Sequence, residues 1–383
     1  MKFACIDYRT KSGKIWKAVE NKPNYLCNPD NEIDHTSYGT WTSALQGEHI
    51  PLRWIVEGKF DLPYIELIKR QASLMQRILL KLRKSKIQQS TNPINFANID
   101  YLKRFDLILL CMHYEVPDVF ADLAKSIKDQ FPSKILLTTH GTFNLGRVRE
   151  FWRNNNWFKN FKNFINSGDA FVIVNPGTES YFELVCKKPI IYFPQLYPIE
   201  YTKKFFRNYS DKEDVIFIGA STQRMDNVWS ALLAKKIQND LPQFKIRVIG
   251  TNDFNFEVLK GSQYDILPRL NWEKYLFETS KCKLIINMDN WWTNGRVPTD
   301  AAAVGTPCIG VNAGRQIELF PSLTFDDVVG NEEALKTIKQ LLKSEEMFNK
   351  VTDYAYRTLK KYDYEEGAER IRDLFTDLNK LHR

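Results

Sequence analysis

Short, unbroken apolar runs alternate along the chain with amphipathic stretches. Phe3–Ile6, Leu107–Met112, Lys134–Thr138, Ala170–Val174 and Ile190–Phe193 recur through the first half. Runs of this kind suit parallel strands covered on both faces, where every position is buried and no alternation survives. Helical periodicity fills the intervals, over Pro63–Lys84 and Pro117–Gln130. A second series follows Tyr209, with strands predicted at Val215–Ile218, Ile246–Ile249, Leu284–Asn287 and Cys308–Val311 and helices at Asp226–Asn239 and Trp272–Thr279. The alternation predicts two doubly wound α/β domains. Residues 196–212 are polar and charged without clear period, and join them. The expected organisation is a domain over 1–200, a second over 201–361, and a C-terminal helix over 362–383 that packs back on the first. Residues 19–51, rich in Asn, Pro, Gly and Tyr, have no period and are expected to form loops near a cleft.

Two stacked Rossmann-like domains aim the loops that follow their strands across a shared cleft, so chemistry is sought there. The richest stretch is NMDNWWTNGRVPTDAAAVGTPCIGV, from Asn287 to Val311. It reads as strand, polar loop, short helix, strand. Pro298 and Thr299 suit a helix start, and Gly305 followed by Pro307 suits its end. Asn294, Gly295, Arg296 and Val297 then form the entrance to a helix N-terminus, a natural seat for a diphosphate. Asp300, one turn later, can accept hydrogen bonds from a ribose diol; an ordinary first-turn acid is the plainer alternative. Trp291 and Trp292 either stack on a base or sugar or pack at the surface.

Other loops of the second half point the same way. The strand ending at Ile218 runs into Gly219, Ser221, Thr222 and Arg224, which offer close backbone approach, hydroxyl donors and a cation for phosphate. The same residues also fit a tight βα turn with a capping hydroxyl. Gly250 ends the next strand, and Arg269 and Leu270 precede an amphipathic helix where backbone groups can meet a base edge. In the first half, His113 and His140 stand at strand ends, each able to act as general base or to bind a sugar hydroxyl. Glu115, Asp118 and Asp7 are reserve bases. Each histidine is equally a strand-end residue satisfied by a carbonyl.

These motifs together resemble the donor-binding half of GT-B glycosyltransferases. Asp300-Ala-Ala-Ala-Val-Gly305-Thr-Pro307 matches that family's acid–Ala-rich–Gly-x-Pro stretch, with Asp in place of Glu. A basic residue in the first loop falls on Arg224, and an Arg one turn before the carboxylate also resembles phage DNA glucosyltransferases. The paired Glu of some retaining families is absent, since Trp292 holds its position. The resemblance covers roughly 210–320 closely and the first domain in layout. It implies a GT-B fold, a metal-independent transfer of a hexosyl or pentosyl group from a nucleotide-sugar co-substrate, UDP-linked, and no other cofactor. The acceptor is a hydroxymethylated DNA base or a glycan. A sugar-nucleotide epimerase and a non-catalytic nucleotide-binding protein on the same scaffold remain alternatives. A nicotinamide enzyme is disfavoured because no GxGxxG follows the first strand.

Composition changes the picture only in detail. At 383 residues the chain exceeds one ordinary core, and a net charge of +8 permits an acidic partner such as DNA, an anionic lipid or a glycan. Arg147, Arg149, Arg153, Lys159 and Lys162 interleave with Phe151, Trp152, Trp157, Phe158 and Phe161. That suits a polyanionic acceptor, with Arg147, Arg149 and Trp152 as its contacts; an amphipathic helix with an aromatic core face is the alternative. Lys69 to Lys86 holds seven basic residues and no acid, beside Leu74, Ile78 and Leu82. This suits anionic lipid or a solvated helix face. The six cysteines are scattered without a CxxC pair, which reads as reduced core thiols in a cytoplasmic protein with no metal site. No apolar run approaches the roughly 20 residues that span a bilayer.

Overall fold

A computed structural model of the chain describes residues 1–7, 15–17, 39–56, 94–113, 116–139, 155–175, 178–218, 227–250, 256–268, 270–288, 295–312, 314–326, 328 and 330–380. The first sheet contains β1 (Phe3–Asp7), β2 (Trp16–Lys17), β3 (Glu48–Pro51), β4 (Leu107–Met112), β5 (Lys134–Thr139), β6 (Ala170–Ile173) and β7 (Ile190–Tyr192), in the order β2-β3-β1-β4-β5-β6-β7. Only the β2–β3 pair is antiparallel among these described strands. The apolar run of β4 explains its place at the centre. Leu107, Leu109 and Cys111 face one side with Phe3, Cys5 and Trp41, while Ile108, Leu110 and Met112 face the other with Phe120, Phe161 and Phe164. Both faces are therefore core, and polar alternation would have been fatal.

The helices Pro117–Gln130 and Asn155–Ser167 cover one face. The other is covered by the short helix Gly39–Ala44 and by the C-terminal helix Tyr364–Lys380, whose Ala368, Ile371 and Leu378 enter the same cluster as Phe3 and Trp41.

The second sheet runs β10-β9-β8-β11-β12-β13 and is parallel throughout. Its strands are β8 (Glu213–Ile218), β9 (Lys245–Ile249), β10 (Tyr264–Leu267), β11 (Cys282–Asn287), β12 (Cys308–Val311) and β13 (Thr324–Phe325). The order reverses direction between β8 and β11. In doubly wound sheets that reversal point is where a crevice opens at the strand C-termini. Both halves thus have the α/β architecture expected from the apolar runs.

The structure differs from expectation over 39–51, where a helix and a strand replace loops. Glu48 and His49 sit in β3 as buried residues, which hides the strand from a hydrophobicity pattern. Glu48 is tolerated because Tyr101 Oη donates to it (2.8 Å) and Arg104 pairs with it, the guanidinium lying 4.0 Å over the Tyr101 ring. A buried charge needs such partners. The basic stretch Lys69–Lys86 lies outside the described residues. Among the described residues, no helix is long and apolar enough to cross a membrane.

Candidate active site

The helix Arg296–Ala303 is the next described element after β11, at the reversal point of the second sheet. It begins two residues earlier than Pro298 suggested. Gly295 precedes it with φ 67° and ψ 39°, the left-handed region. A Cβ at Gly295 would also stand 2.5 Å from the Arg315 amide nitrogen. Thr299 N reaches back to Gly295 O (3.1 Å), and Thr299 Oγ1 donates to the same oxygen (2.6 Å). The missing N–H of Pro298 costs nothing in a first turn, where amides have no helical acceptor. Pro298 to Ala303 are all buried, so the alanines allow the helix to lie close against its neighbours.

Asp300 lies within this buried run, 4% exposed, with Oδ1 accepting from Tyr197 Oη (2.7 Å) and Trp272 Nε1 (3.0 Å). Burial pushes its carboxyl above the ordinary carboxylate range; Arg296 and the two hydrogen bonds oppose that rise. Tyr197 belongs to the segment joining the two lobes, and its amide donates to Tyr362 O (2.8 Å). Trp272 starts the helix Trp272–Ser280, capped by Asn271 Oδ1 accepting from Lys274 N (2.9 Å). The carboxylate therefore ties three segments together.

Arg315 follows β12 and is 1% exposed. Its Nε donates to Glu318 Oε2 (3.1 Å), its Nη2 to Glu318 Oε1 (3.4 Å), and its guanidinium lies 4.2 Å over the Tyr362 ring. Glu318 Oε2 also accepts from Tyr192 Oη (3.0 Å), which links β7 of the first lobe to the second. Burial would raise the Glu318 carboxyl, but Arg315 and the hydroxyls of Tyr362 and Tyr192 outweigh it and hold the group below its usual range. A cavity lies between the lobes; Arg296, Asp300 and Arg315 are among its walls.

Lys212 supports the far end of the same helix. Its Nζ is bonded to Ser280 O (2.7 Å), Thr306 Oγ1 (2.8 Å) and Val304 O (3.4 Å), with the side chain buried. Burial lowers its ammonium to about 7.

Of the residues singled out in the sequence, Gly295, Arg296, Val297 and Asp300 come together here. Val297 is partly buried against the core of the second lobe, as is Leu270. Gly250 N donates to Leu267 O (2.7 Å), and a Cβ there would meet Ile266 Cγ2 at 2.7 Å, so close strand packing already requires this glycine. His113 follows β4 and is buried, its carbonyl accepting from Val116 N (3.1 Å). Asp7 ends the adjacent β1, its Oδ2 3.8 Å from His49 Nε2, while Asp118 lies exposed in the first turn of Pro117–Gln130. His140, Glu115, Gly219, Ser221, Thr222, Arg224, Arg269, Asn294, Arg147, Arg149 and Trp152, together with Trp291 and Trp292, lie outside the described residues. Trp157 and Phe161 of the basic–aromatic stretch are core residues, stacked at 5.0 Å, while Lys159 and Lys162 face solvent. That portion is an amphipathic helix with an aromatic core face.

Sequence alone did not single out Tyr197, Trp272, Arg315, Glu318 or Lys212. Only the Arg315-x-x-Glu318 spacing hinted at a pair, since residues three apart share a helix face.

No protein-family model matches the chain and no curated protein matches it in sequence. Solved structures do match its fold. Sucrose-phosphate synthase from Thermosynechococcus elongatus superposes with a TM-score of 0.61 at 14% identity, covering 99% of each chain. Trehalose-6-phosphate synthase OtsA gives a TM-score of 0.63 at 10% identity, covering 98% of this chain and 99% of that one. Anabaena HepE in complex with UDP-glucose gives 0.59 at 12% identity, covering 98% and 100%. The two Rossmann-like lobes and these full-length superpositions define a GT-B fold.

Proposed function

We propose that the chain is a glycosyltransferase that moves a hexosyl or pentosyl group from a UDP-sugar to an acceptor hydroxyl without a metal. The observation that carries this reading is the position of Gly295, Arg296 and Asp300 at a helix N-terminus on the reversal point of the second sheet. Helix amides and the Arg296 guanidinium there favour a diphosphate, and more strongly its extra charge as the glycosidic bond breaks. Asp300, held in place by Tyr197 and Trp272, faces the same cavity as Arg296 and holds the ribose. HepE with UDP-glucose, and the E. coli trehalose-6-phosphate protein with UDP-2-fluoro glucose (TM-score 0.58, 10% identity), support a UDP-linked donor on this scaffold.

The Gly219–Arg224 loop follows β8, the strand beside β11, and supplies further phosphate donors with Arg224 as its cation. The acceptor hydroxyl approaches from the first lobe. Asp7 and His113 lie at the C-terminal ends of the neighbouring strands β1 and β4, and His140 follows β5, next in order. His140 is the first candidate for the base, His113 and Glu115 the next. The acceptor is a hydroxymethylated DNA base or a glycan, and the salt dependence of duplex DNA binding separates them, steep for DNA and absent for a glycan.

The test is UDP release from UDP-glucose, and from other UDP-sugars, with candidate acceptors. Arg296→Ala is expected to abolish turnover while its circular dichroism stays as in the parent and its unfolding stays cooperative. Parent-level turnover in that variant would sink the assignment.

A further inference from the structure

The cavity between the lobes is walled in part by two buried donors that no group among the described residues satisfies. Arg315 is 1% exposed, and Glu318 engages its Nε and Nη2 edge. The third nitrogen, Nη1, is buried and bonded to nothing. Gln195 is 8% exposed and its Nε2 is likewise buried without an acceptor. Both side chains line the same cavity, with Thr40 from the first lobe and Arg296 from the second. Folded proteins seldom leave buried donors unmade, so two in one cavity point to a missing acceptor.

The character of that acceptor follows from what surrounds it. The carboxylates at the site already have donors: Asp300 has Tyr197 and Trp272, and Glu318 has Arg315 and Tyr192. What is left over is donor capacity, one part of it on a delocalised cation whose planar fork suits an oxyanion. Arg315 is also fixed before any ligand arrives. Its aromatic cover by Tyr362 and its pair with Glu318 hold the guanidinium in one orientation, and the chain behind it abuts Gly295. A preorganised donor of this kind gives up little freedom on binding.

We propose that Arg315 Nη1 and Gln195 Nε2, with Arg296 beside them, form a second anion subsite that takes one phosphate-class oxyanion, separate from the diphosphate of the donor. The oxyanion is either a phosphoryl group carried by the acceptor or free inorganic phosphate. The inference deepens the transferase reading, on which it rests only for the identity of the neighbouring ligand.

The experiment is thermal unfolding of the full chain with inorganic phosphate titrated in the presence of saturating UDP. Gln195→Met is the principal variant, since it removes both Nε2 protons at similar volume and leaves the Arg315–Glu318 pair intact. Arg315→Lys is the second, keeping a cation for Glu318 while removing the free nitrogen. Phosphate is expected to raise the melting temperature of the parent saturably, and both variants to require about tenfold more phosphate for the same shift. An equal phosphate response in parent and Gln195→Met would overturn the subsite. So would loss of the response once UDP saturates, because phosphate would then be occupying the diphosphate seat. Glucose 6-phosphate, run beside glucose, separates the two sources. Binding about tenfold tighter than inorganic phosphate with the same Gln195→Met penalty assigns an acceptor-borne group, and equal affinity assigns free phosphate. Should UDP fail to bind while phosphate still depends on Gln195, the transferase reading falls and the subsite stands.

Discussion

Alanine at Gly295 meets two obstacles at once. The backbone there has φ 67°, and an L side chain in the left-handed region costs about 1–2 kcal/mol. The added Cβ would also lie 2.5 Å from the Arg315 amide nitrogen and 2.9 Å from Arg315 Cβ. Backbone cannot yield as a flexible side chain can, so the helix start or the Arg315 segment must shift, at about 1–3 kcal/mol by analogy with overpacked cores. Gly261 supplies an internal control. It too is left-handed, with φ 83°, but a Cβ there meets nothing within 4 Å. Urea denaturation should show Gly261→Ala losing about 1–2 kcal/mol and Gly295→Ala about 2–5 kcal/mol, the excess being the contact with Arg315. Because the displaced element is the helix N-terminus, titration calorimetry should show weaker UDP binding in Gly295→Ala and parent affinity in Gly261→Ala. Equal stability losses, or unchanged UDP affinity in Gly295→Ala, would refute the reasoning.

Three further outcomes follow from the same geometry. Tyr197→Phe removes a buried donor from Asp300 and should cost about 1–3 kcal/mol in urea denaturation; a negligible loss would mean that the bond across the linker contributes nothing. Lys212 has a folded value of about 7, below the ordinary 10.5, so unfolding takes up a proton between those limits. Stability should therefore rise with pH across that window, by up to about 1.4 kcal/mol per pH unit from this group. Lys212→Met should flatten that slope, and identical pH profiles for parent and variant would contradict it. Burial raises the Cys282 thiol to about 12 and the Cys308 thiol further. Iodoacetamide at pH 8 should therefore leave both unmodified in the folded chain and label both in urea, as peptide mass mapping would read; labelling of the folded chain would mean that this core opens.

Much of the scaffold was legible because parallel strands buried on both faces leave an uninterrupted apolar signature. LILLCM at Leu107–Met112 could hardly be anything else. EHIP at Glu48–Pro51 was not legible, because its charge is matched by Tyr101 and Arg104, more than fifty residues away in sequence. The site divides in the same manner. Gly295, Arg296 and Asp300 are local, and their spacing predicts a helix N-terminus with a cation and an acid. The partners of Asp300 are not local: Tyr197 and Trp272 lie 103 and 28 residues away, and no pattern in the sequence brings them together. Arg315 was not legible for a related reason: only the fold shows it roofed by Tyr362, 47 residues on, and clasped by Glu318.

The central claim is that the Gly295–Asp300 helix start is a nucleotide seat, and calorimetric titration of UDP into the full chain tests it most directly. The parent should bind UDP at a single site, and Arg296→Ala should weaken that binding at least about tenfold, as expected for loss of a charge-assisted contact. Absence of UDP binding in the folded parent, or equal affinity in Arg296→Ala, would contradict the account.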